Sequence, residues 1–238
     1  MQRLDKYLSD AGAGSRKELR QWIRKGQVTV NGCTETDESR KLDETRDQVC
    51  LRGVLVDAFR LVVGMLHKPA GFVTSTDEPG ARTVMELLPE QYRRLSPVPV
   101  GRLDKDTEGL LLFTNDGDLA HRLISPKYRV EKEYFARVDG LLSQKDAAAF
   151  AQGLVLGDGT TCRPAVLRLE KPGECRVILT EGKYHQVRRM LASRGAPVTY
   201  LRREREGALT LGMLPLGGFR ELTGEETFQL RRECGLED

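Results

Sequence analysis

The sequence predicts an α+β protein organised as two domains, a short one at residues 1–58 and a longer one at residues 61–238. Three observations lead to this prediction. Apolar residues recur at helical spacing, and several of these segments follow capping-box residues, which is typical of helix starts. Short apolar or alternating runs lie between them and indicate strands. The pattern lapses at Asp57–Arg60, where we expect a linker.

The shorter domain should begin with two helices and continue as short strands. The first helix is predicted from apolar spacing between Leu4 and Ala11, and the second starts at the capping box of Ser15 and Glu18. Trp22 shares the apolar stripe of the second helix, so we expect it in the core rather than as a base-stacking platform. Strands are expected at Val28–Val30, which turns at Asn31–Gly32, and later at Val49–Leu51 and Val54–Val56.

Charge is unevenly distributed over the first 26 residues. Seven basic side chains face three acidic ones there, a surplus of four on two short helices. Such a surplus favours contact with phosphate groups, since each contact releases counterions. On charge alone, a helix face exposed to solvent explains the pattern equally well.

The longer domain contains the most informative stretch, Gly101–Gly117. The apolar run Leu110–Thr114 predicts a buried strand, although so short a run also fits a buried helix. Asp104 lies in the polar loop before this run. Loops held by a rigid core often carry function. From the residues alone, the alternative is a solvated turn in which Asp104 caps a backbone N–H.

The remaining elements of the longer domain follow from local pattern. A strand is expected at Leu61–Leu66, and Thr83 with Glu86 forms a capping box for a short helix. Tyr134 lies on an alternating strand, where a tyrosine is more often part of the core. The other expected elements are helices at 119–124 and 143–152, a hairpin turning at 172–173, final strands at 198–201 and 208–211, and a terminal helix from 223.

A second basic segment runs from Gly182 to Arg205. It carries seven basic residues and Glu204 as its one acid, a surplus of six. A solvated helix end is the alternative, but so large a surplus over so few residues favours a surface that faces phosphate groups.

Composition excludes several classes of protein. No apolar run approaches the roughly 20 residues that span a bilayer, and the N-terminus has no apolar signal-peptide core. The five cysteines are widely spaced with no C-x-x-C pair, which argues against a zinc site or a disulfide framework. We therefore expect a cytoplasmic protein that does not associate with membranes.

Two motifs in the longer domain resemble those of one enzyme family. Gly-Arg-Leu-Asp-x-x-Thr-x-Gly-Leu-Leu-Leu at 101–112 and Glu-Gly-Lys-x-x-Gln-Val-Arg-Arg-Met at 181–190 resemble the RsuA-type pseudouridine synthases, which isomerise uridine in ribosomal RNA. Lys68-Pro-x-Gly and the Lys-x-Tyr at 132–134 resemble the same family, and residues 3–32 resemble an S4 RNA-binding domain. The resemblance implies an S4-like domain followed by a catalytic domain with a mixed, mainly antiparallel sheet.

The resemblance also assigns roles to individual residues. It implies that Asp104 is the catalytic carboxylate, that Arg188 pairs with it and that Tyr134 stacks on the target uracil. It further implies RNA contacts by Arg102, Lys183, Arg189, Ser15, Arg16, Lys17, Arg20 and Lys25. Neither a cofactor nor a metal is expected. Asp104 could attack C1′ of the ribose or remove the proton at C2′, and both routes stay open.

The expected substrate is a uridine of 16S small-subunit ribosomal RNA. This choice comes from the resemblance of Ser75–Pro79 and of the stretch from Asp158 to Ala165 to enzymes of that class. The alternatives are 23S large-subunit RNA and a non-catalytic S4-type binding protein. A glycosidase, with two carboxylates across a sugar bond, fits the basic surface poorly. We expect a monomer that acts on a small-subunit assembly intermediate.

Overall fold

The computed structural model describes residues 2–43, 46–56 and 61–236. Two compact units are present, one formed by the chain up to Val62 together with Leu88–Pro97, the other by Val63–Leu87 and the chain from Val98 onwards. The linker expected at Asp57–Arg60 lies outside the described residues.

The first unit contains short helices and strands near the positions that the sequence predicts. Ser15 and Glu18 form the expected capping box at the start of the second helix. Asn31 and Gly32 both have positive φ, 53° and 80°, as a tight two-residue hairpin turn requires. The elements are β1 (Gln2–Arg3), α1 (Leu4–Asp10), α2 (Arg16–Arg24), β2 (Val28–Val30), β3 (Cys33–Glu35), β4 (Lys41–Leu42), β5 (Val49–Leu51), β6 (Val54–Val56) and α3 (Glu90–Arg93).

The two N-terminal helices share a core with the antiparallel sheet β3-β2-β5-β6. Leu4, Leu8, Leu19 and Ile23 on the helices are fully buried, as the helical spacing predicts. Trp22 is half-buried against this cluster, and the Arg52 guanidinium lies 4.6 Å from the centre of its ring. One face of α2 is therefore used for packing, and its polar face is left outward.

The second unit holds the longer elements. They are β7 (Val63–Lys68), β8 (Val98–Pro99), β9 (Glu108–Thr114), α4 (Gly117–Ile124), β10 (Lys132–Val138), α5 (Gln144–Gln152), β11 (Val166–Leu169), β12 (Glu174–Leu179), α6 (Gln186–Ala192), β13 (Val198–Glu206), β14 (Leu209–Thr210), β15 (Phe219–Glu221) and α7 (Gly224–Glu233). None of the helices in the described part of the chain has the length and apolar composition needed to cross a bilayer.

One sheet joins the strands of this unit in the order β11-β12-β10-β13-β9-β7-β15, with β14 added beside β13 and β8 beside β9. Among these described strands β13 pairs with β9 in parallel, and the other pairings are antiparallel. The expected mixed, mainly antiparallel sheet is confirmed. Leu110–Phe113 at its centre are fully buried, as the apolar run predicts.

Three boundaries differ from the sequence-based expectation. Residues 84–87 form a 3-10 helix, with the Thr83 N–H bonded to the Glu86 carboxylate at 2.8 Å. β13 continues from Leu201 to Glu206, because its charged residues find partners in neighbouring strands instead of solvent; Arg205, for example, lies 3.2 Å from Glu133 on β10. β15 follows the strands expected to be last, and its pairing with β7 is too distant in sequence for local pattern to reveal.

Candidate active site

The loop that carries Asp104 is held from below by a buried lysine. Lys68 ends β7 and is fully buried, and its Nζ donates to the backbone carbonyls of Asp104 at 3.1 Å, Lys105 at 3.2 Å and Thr107 at 2.8 Å. Burial lowers the pKa of Lys68 to about 8, and the nearby carboxylates, that of Asp106 most strongly, oppose this effect. One ammonium group therefore binds three backbone carbonyls of the loop.

Thr74 and Gly109 fix the two ends of the same loop. The Thr74 hydroxyl donates to the Leu103 carbonyl at 2.7 Å and accepts from the Leu103 N–H at 3.2 Å. Gly109 has φ +113°, and a Cβ there would lie 2.1 Å from the Arg203 carbonyl oxygen. Only glycine therefore allows β9 to approach β13 at the point where the loop meets the sheet.

The segment 181–188 brings a second set of functional groups to this loop. The buried Glu181 carboxylate accepts from the Arg163 N–H at 2.9 Å and from the Gln186 side chain at 2.6 Å. Gln186 in turn accepts from the Lys183 N–H at 2.9 Å. These bonds fold the segment back on itself, and His185, in the left-handed region at φ 47°, precedes α6.

Asp104 lies beside two nitrogen-bearing side chains of that segment. Arg188 Nε is 3.6 Å from Asp104 Oδ2, and His185 Nε2 is 3.4 Å from Asp104 Oδ1. The same guanidinium is 2.9 Å from Asp106 Oδ2 and donates to the Thr107 hydroxyl at 3.3 Å. The side chain of Asp104 is 28% exposed, so a carboxylate aligned by an arginine remains open to a ligand.

Tyr134 lies near a buried network of charged side chains. It is 8% exposed, and the buried Arg203 guanidinium lies near it. Burial raises the pKa of Tyr134, and the positive charge of Arg203 works in the opposite direction. Arg203 lies 3.1 Å from Glu206, whose other oxygen is 3.4 Å from Lys132. The phenol ring therefore lies beside buried charged groups.

These groups surround a cleft of about 760 Å³. Its charged lining consists of five basic and two acidic side chains, namely Arg102, Lys105, Lys132, Lys183, Arg203, Asp104 and Glu206. Tyr134 also lines the cleft, and a small adjoining recess brings Arg188 together with Asp104 and Tyr134. The cleft is therefore positively charged, and a carboxylate and an aromatic ring also line it.

The residues of this unit that are predicted to contact RNA differ in whether their side chains already have a partner. Arg102 is exposed and makes no hydrogen bond or ion pair with the described residues. Lys183 lines the cleft, but its Nζ donates to the Thr161 carbonyl and lies 4.0 Å from Glu181. Arg189 is outside the cleft lining and pairs with Asp158. Arg102 is thus the most available of the three for a new partner.

In the first unit, some of the residues predicted to contact RNA already have a side-chain partner and others do not. The Ser15 hydroxyl caps α2 and is bonded to Glu18, and Arg20 pairs with Asp5 at 3.1 Å. Arg16, Lys17 and Lys25 are exposed, and their side chains form no hydrogen bond or ion pair with the described part of the chain. Three of the five are therefore free to bind an anion.

Sequence reasoning missed three contributors to this site. Lys68 was noted only as part of a motif, and a lysine buried under a loop has no local sequence signal. His185 and Asp106 stand next to residues that were assigned roles, and their contacts with Asp104 and Arg188 depend on the left-handed turn before α6. A positive φ at a non-glycine residue cannot be read from spacing.

The arrangement suits chemistry on an anionic ligand that contains a sugar or a base. A partly exposed carboxylate can act as a nucleophile or a base, an aromatic ring can stack on a base, and the surrounding cations can bind phosphate. Within the described residues, no group of three or more His, Cys, Asp or Glu side chains is placed to hold a metal ion.

Comparison with known proteins shows which family this chain is similar to. A family model described as RNA pseudouridylate synthase matches residues 62–193, and an S4 domain model matches residues 2–49. Ribosomal small subunit pseudouridine synthase A of Escherichia coli is 38% identical over 94% of this chain and 97% of the relative. Ribosomal large subunit pseudouridine synthase B of Bacillus subtilis is 36% identical over 97% of this chain and 96% of the relative.

A solved structure agrees with these matches. A crystal structure of a pseudouridylate synthase superposes with a TM-score of 0.68 at 31% identity, covering 97% of this chain and all of the other. The chain belongs to the RNA pseudouridylate synthase family, whose enzymes isomerise uridine to pseudouridine in RNA.

Proposed function

We propose that this protein isomerises a uridine of ribosomal RNA, with Asp104 as the catalytic carboxylate and small-subunit RNA as the substrate. The observation that carries the proposal is the position of Asp104. It is partly exposed in a positively charged cleft, 3.6 Å from the Arg188 guanidinium, and Tyr134 lines the same space. RNA is the anionic ligand that this family modifies.

The reaction exchanges one bond of the uridine for another. The N1–C1′ bond breaks, the uracil turns, and a C5–C1′ bond forms. C5 then loses its proton to solvent and N1 gains one, so that atoms balance and no redox partner is needed. Asp104 either attacks C1′, leaving as the new bond forms, or takes the C2′ proton and later returns it. Both routes require Asp104 to be ionised.

The neighbours of Asp104 can position it for either route. Arg188 touches Asp104, Asp106 and Thr107, so it can orient the catalytic carboxylate. Tyr134, which lies near Arg203, would stack on the detached uracil and could relay the C5 proton. Lys68 would keep the loop backbone in place while the base turns.

A base within RNA must leave its stack before Asp104 can reach C1′. Arg102 is suited to this step because its guanidinium is exposed at the cleft and has no partner among the described residues. It would occupy or brace the space that the base vacates. Lys183 would form part of the cleft wall and contact RNA there. Arg189 would need to exchange Asp158 for a phosphate group before it could bind RNA.

We further propose the division of labour expected from the sequence. An S4 domain at 1–58 would bind RNA through Ser15, Arg16, Lys17, Arg20 and Lys25, and the catalytic domain would occupy 61–238. The unpaired cations Arg16, Lys17 and Lys25 support this division most directly, since binding phosphate would not require them to break an existing ion pair.

This chain is almost equally similar to a relative named for the small ribosomal subunit and to one named for the large subunit. The E. coli relative is named for the small subunit and the B. subtilis relative for the large subunit, at 38% and 36% identity. We favour the small subunit because Ser75–Pro79 and the stretch from Asp158 to Ala165 resemble that class. A monomer acting on a partly assembled small subunit is the corresponding substrate proposal.

Tritium release tests this proposal. Small-subunit and large-subunit transcripts labelled at uridine C5 would be incubated separately with the wild-type protein, with Asp104→Asn and with the exposed control Asp139→Asn. We expect release from the small-subunit transcript by the wild type and the control, and none by Asp104→Asn. Release only from the large-subunit transcript would overturn the substrate choice. Binding without release from either transcript, or from partly assembled particles, would favour a non-catalytic RNA-binding protein.

A further inference from the structure

An exposed aromatic ring stands at the cleft and has no part in the mechanism above. Tyr184 is 71% exposed and lines the cleft. One face of its ring is stacked on His185, with the ring centres 3.9 Å apart and the planes inclined by 15°. With so much of the residue open, its other face is available to a ligand.

The position of this ring is fixed by the backbone beneath it. His185 adopts the left-handed conformation at φ 47° and ψ 34°, and Gln186 begins α6 immediately afterwards. The Tyr184 carbonyl accepts from Arg189 at 3.3 Å, and the preceding turn is closed by the hydrogen bond between Lys183 and Gln186. A flat surface held in this way loses little conformational freedom when a second ring stacks on it.

The distance to the reacting group indicates which ring that would be. His185 Nε2 is 3.4 Å from Asp104 Oδ1, and the Tyr184 ring stacks on the imidazole of the same histidine. Asp104 must meet the ribose of the reacting uridine. A base on the open face of Tyr184 would then lie about one nucleotide away along the strand. The positive charge of the cleft lining suits the phosphates that join the two.

We propose that Tyr184 is a stacking platform for the unpaired base next to the isomerised uridine, with His185 as its support. This inference rests on the proposed function, because it requires that an RNA strand enters the cleft. Stacking has little preference among bases, so the platform would select for an unpaired neighbour rather than for a particular sequence. Tyr184 would thereby contribute to the choice of single-stranded or loop sites.

Variants of Tyr184 test the proposal in the full-length protein. The substrate is the transcript from which the wild type releases tritium, shortened to the modified region. We expect Tyr184→Ala to raise KM by about 5- to 140-fold, the range expected for loss of one stacked base. Tyr184→Phe keeps the ring and should stay within about twofold of the wild type. Phe228→Ala removes an exposed aromatic residue on α7 and serves as the matched control.

Fluorescence gives a readout that a purely structural role would not change. The base analogue 2-aminopurine is placed next to the target uridine, on one side or the other, and binding is measured with Asp104→Asn to prevent turnover. We expect quenching at one of the two positions, lost when Tyr184→Ala is added and kept with Tyr184→Phe.

The outcomes separate this inference from the proposed function. If the wild type releases tritium from neither transcript, the proposed function fails first. If the wild type is active, an unchanged KM for Tyr184→Ala together with unchanged quenching overturns the stacking role alone. A fall in kcat without a change in KM or quenching would also overturn it, since Tyr184 would then act only by holding His185 beside Asp104.

Discussion

Two segments of the chain carry the same number of cations and use them differently. Residues 1–26 and residues 182–205 each contain seven lysine or arginine side chains. In the first segment Arg16, Lys17 and Lys25 have no ion-pair partner among the described residues. In the second, all seven lie within 4.0 Å of a described carboxylate, as shown by Lys183, Arg188, Arg189, Arg194, Arg202, Arg203 and Arg205.

The difference shows why a count of charges along a sequence does not locate an anion-binding surface. The surplus of six in the second segment is compensated by acids from distant parts of the chain, including Asp104, Asp146 and Asp158. These cations mainly orient or stabilise. The smaller surplus in the first segment leaves more unpaired charge.

Arg203→Met should show that a cation of the second segment is structural. Arg203 and Glu206 are 1% exposed, and removing one partner of a buried pair costs about 3–5 kcal/mol of unfolding free energy. Urea denaturation followed by circular dichroism would measure the loss. Adding Glu206→Leu should recover part of it. If Arg203→Met were as stable as the wild type, the ion pair would have no structural importance.

Arg188→Ala should affect catalysis rather than binding. Loss of the group that orients Asp104 should lower kcat by about 100- to 1,000-fold, as for other preorganised charged contacts. The dissociation constant for RNA, measured by filter binding, should change by less than about threefold. Arg194→Ala, which breaks a pair with Asp146 outside the cleft lining, is the matched control. Equal effects of both variants on kcat would contradict the assignment.

Replacing Arg16, Lys17 and Lys25 together by glutamine should show the opposite pattern. If these cations contact single-stranded phosphates, the plot of the log of the RNA association constant against the log of the salt concentration should become less steep by about 2. The affinity for RNA near 0.15 M salt should fall roughly 10- to 50-fold. The value of kcat at saturating RNA should be unchanged. Arg24 lies on α2 and is already paired with Glu38, so Arg24→Gln provides the control, for which the slope should hardly change.

The smallest effect concerns the lysine beneath the loop. Because the folded pKa of Lys68 is about 8 and its ordinary value is 10.5, the native protein loses this proton as pH rises through 8, while the unfolded chain still holds it. The neutral amine has one fewer N–H to donate, so kcat should fall about three- to tenfold above pH 8. Lys68→Met should be less active throughout and should lack this step. An identical pH profile in both proteins would exclude Lys68 as its origin.

Much of the fold could be predicted because it is set by local rules. The capping boxes of Ser15 and Thr223 and the hairpin at 172–173 each depend on residues within a few positions of one another. β15 and the second half of β13 were missed because their partners lie far along the chain. From the sequence alone, the charged second half of β13 would be interpreted as exposed to solvent, because the carboxylates that pair with it come from other strands.

Less of the candidate site than of the fold could be predicted from local sequence patterns. From the residues alone, Asp104 fitted a solvated turn and Tyr134 fitted a core position. Resemblance to a family, rather than physical reasoning, gave them roles. The structure brings both residues to one cleft but also adds Lys68 and His185. Their contributions depend on burial and on a left-handed turn, neither of which spacing encodes.

The order of strands has a consequence for how the enzyme is made. Asp104 precedes β9 and Tyr134 lies on β10, yet these strands are not neighbours, because β13 inserts between them. A growing chain that ends before residue 198 would already carry Asp104, Tyr134 and Arg188 but would lack the strand that joins β9 to β10. Pairing across such sequence separations slows folding. Catalytic competence should therefore appear late, after β13 has been synthesised and has found its place.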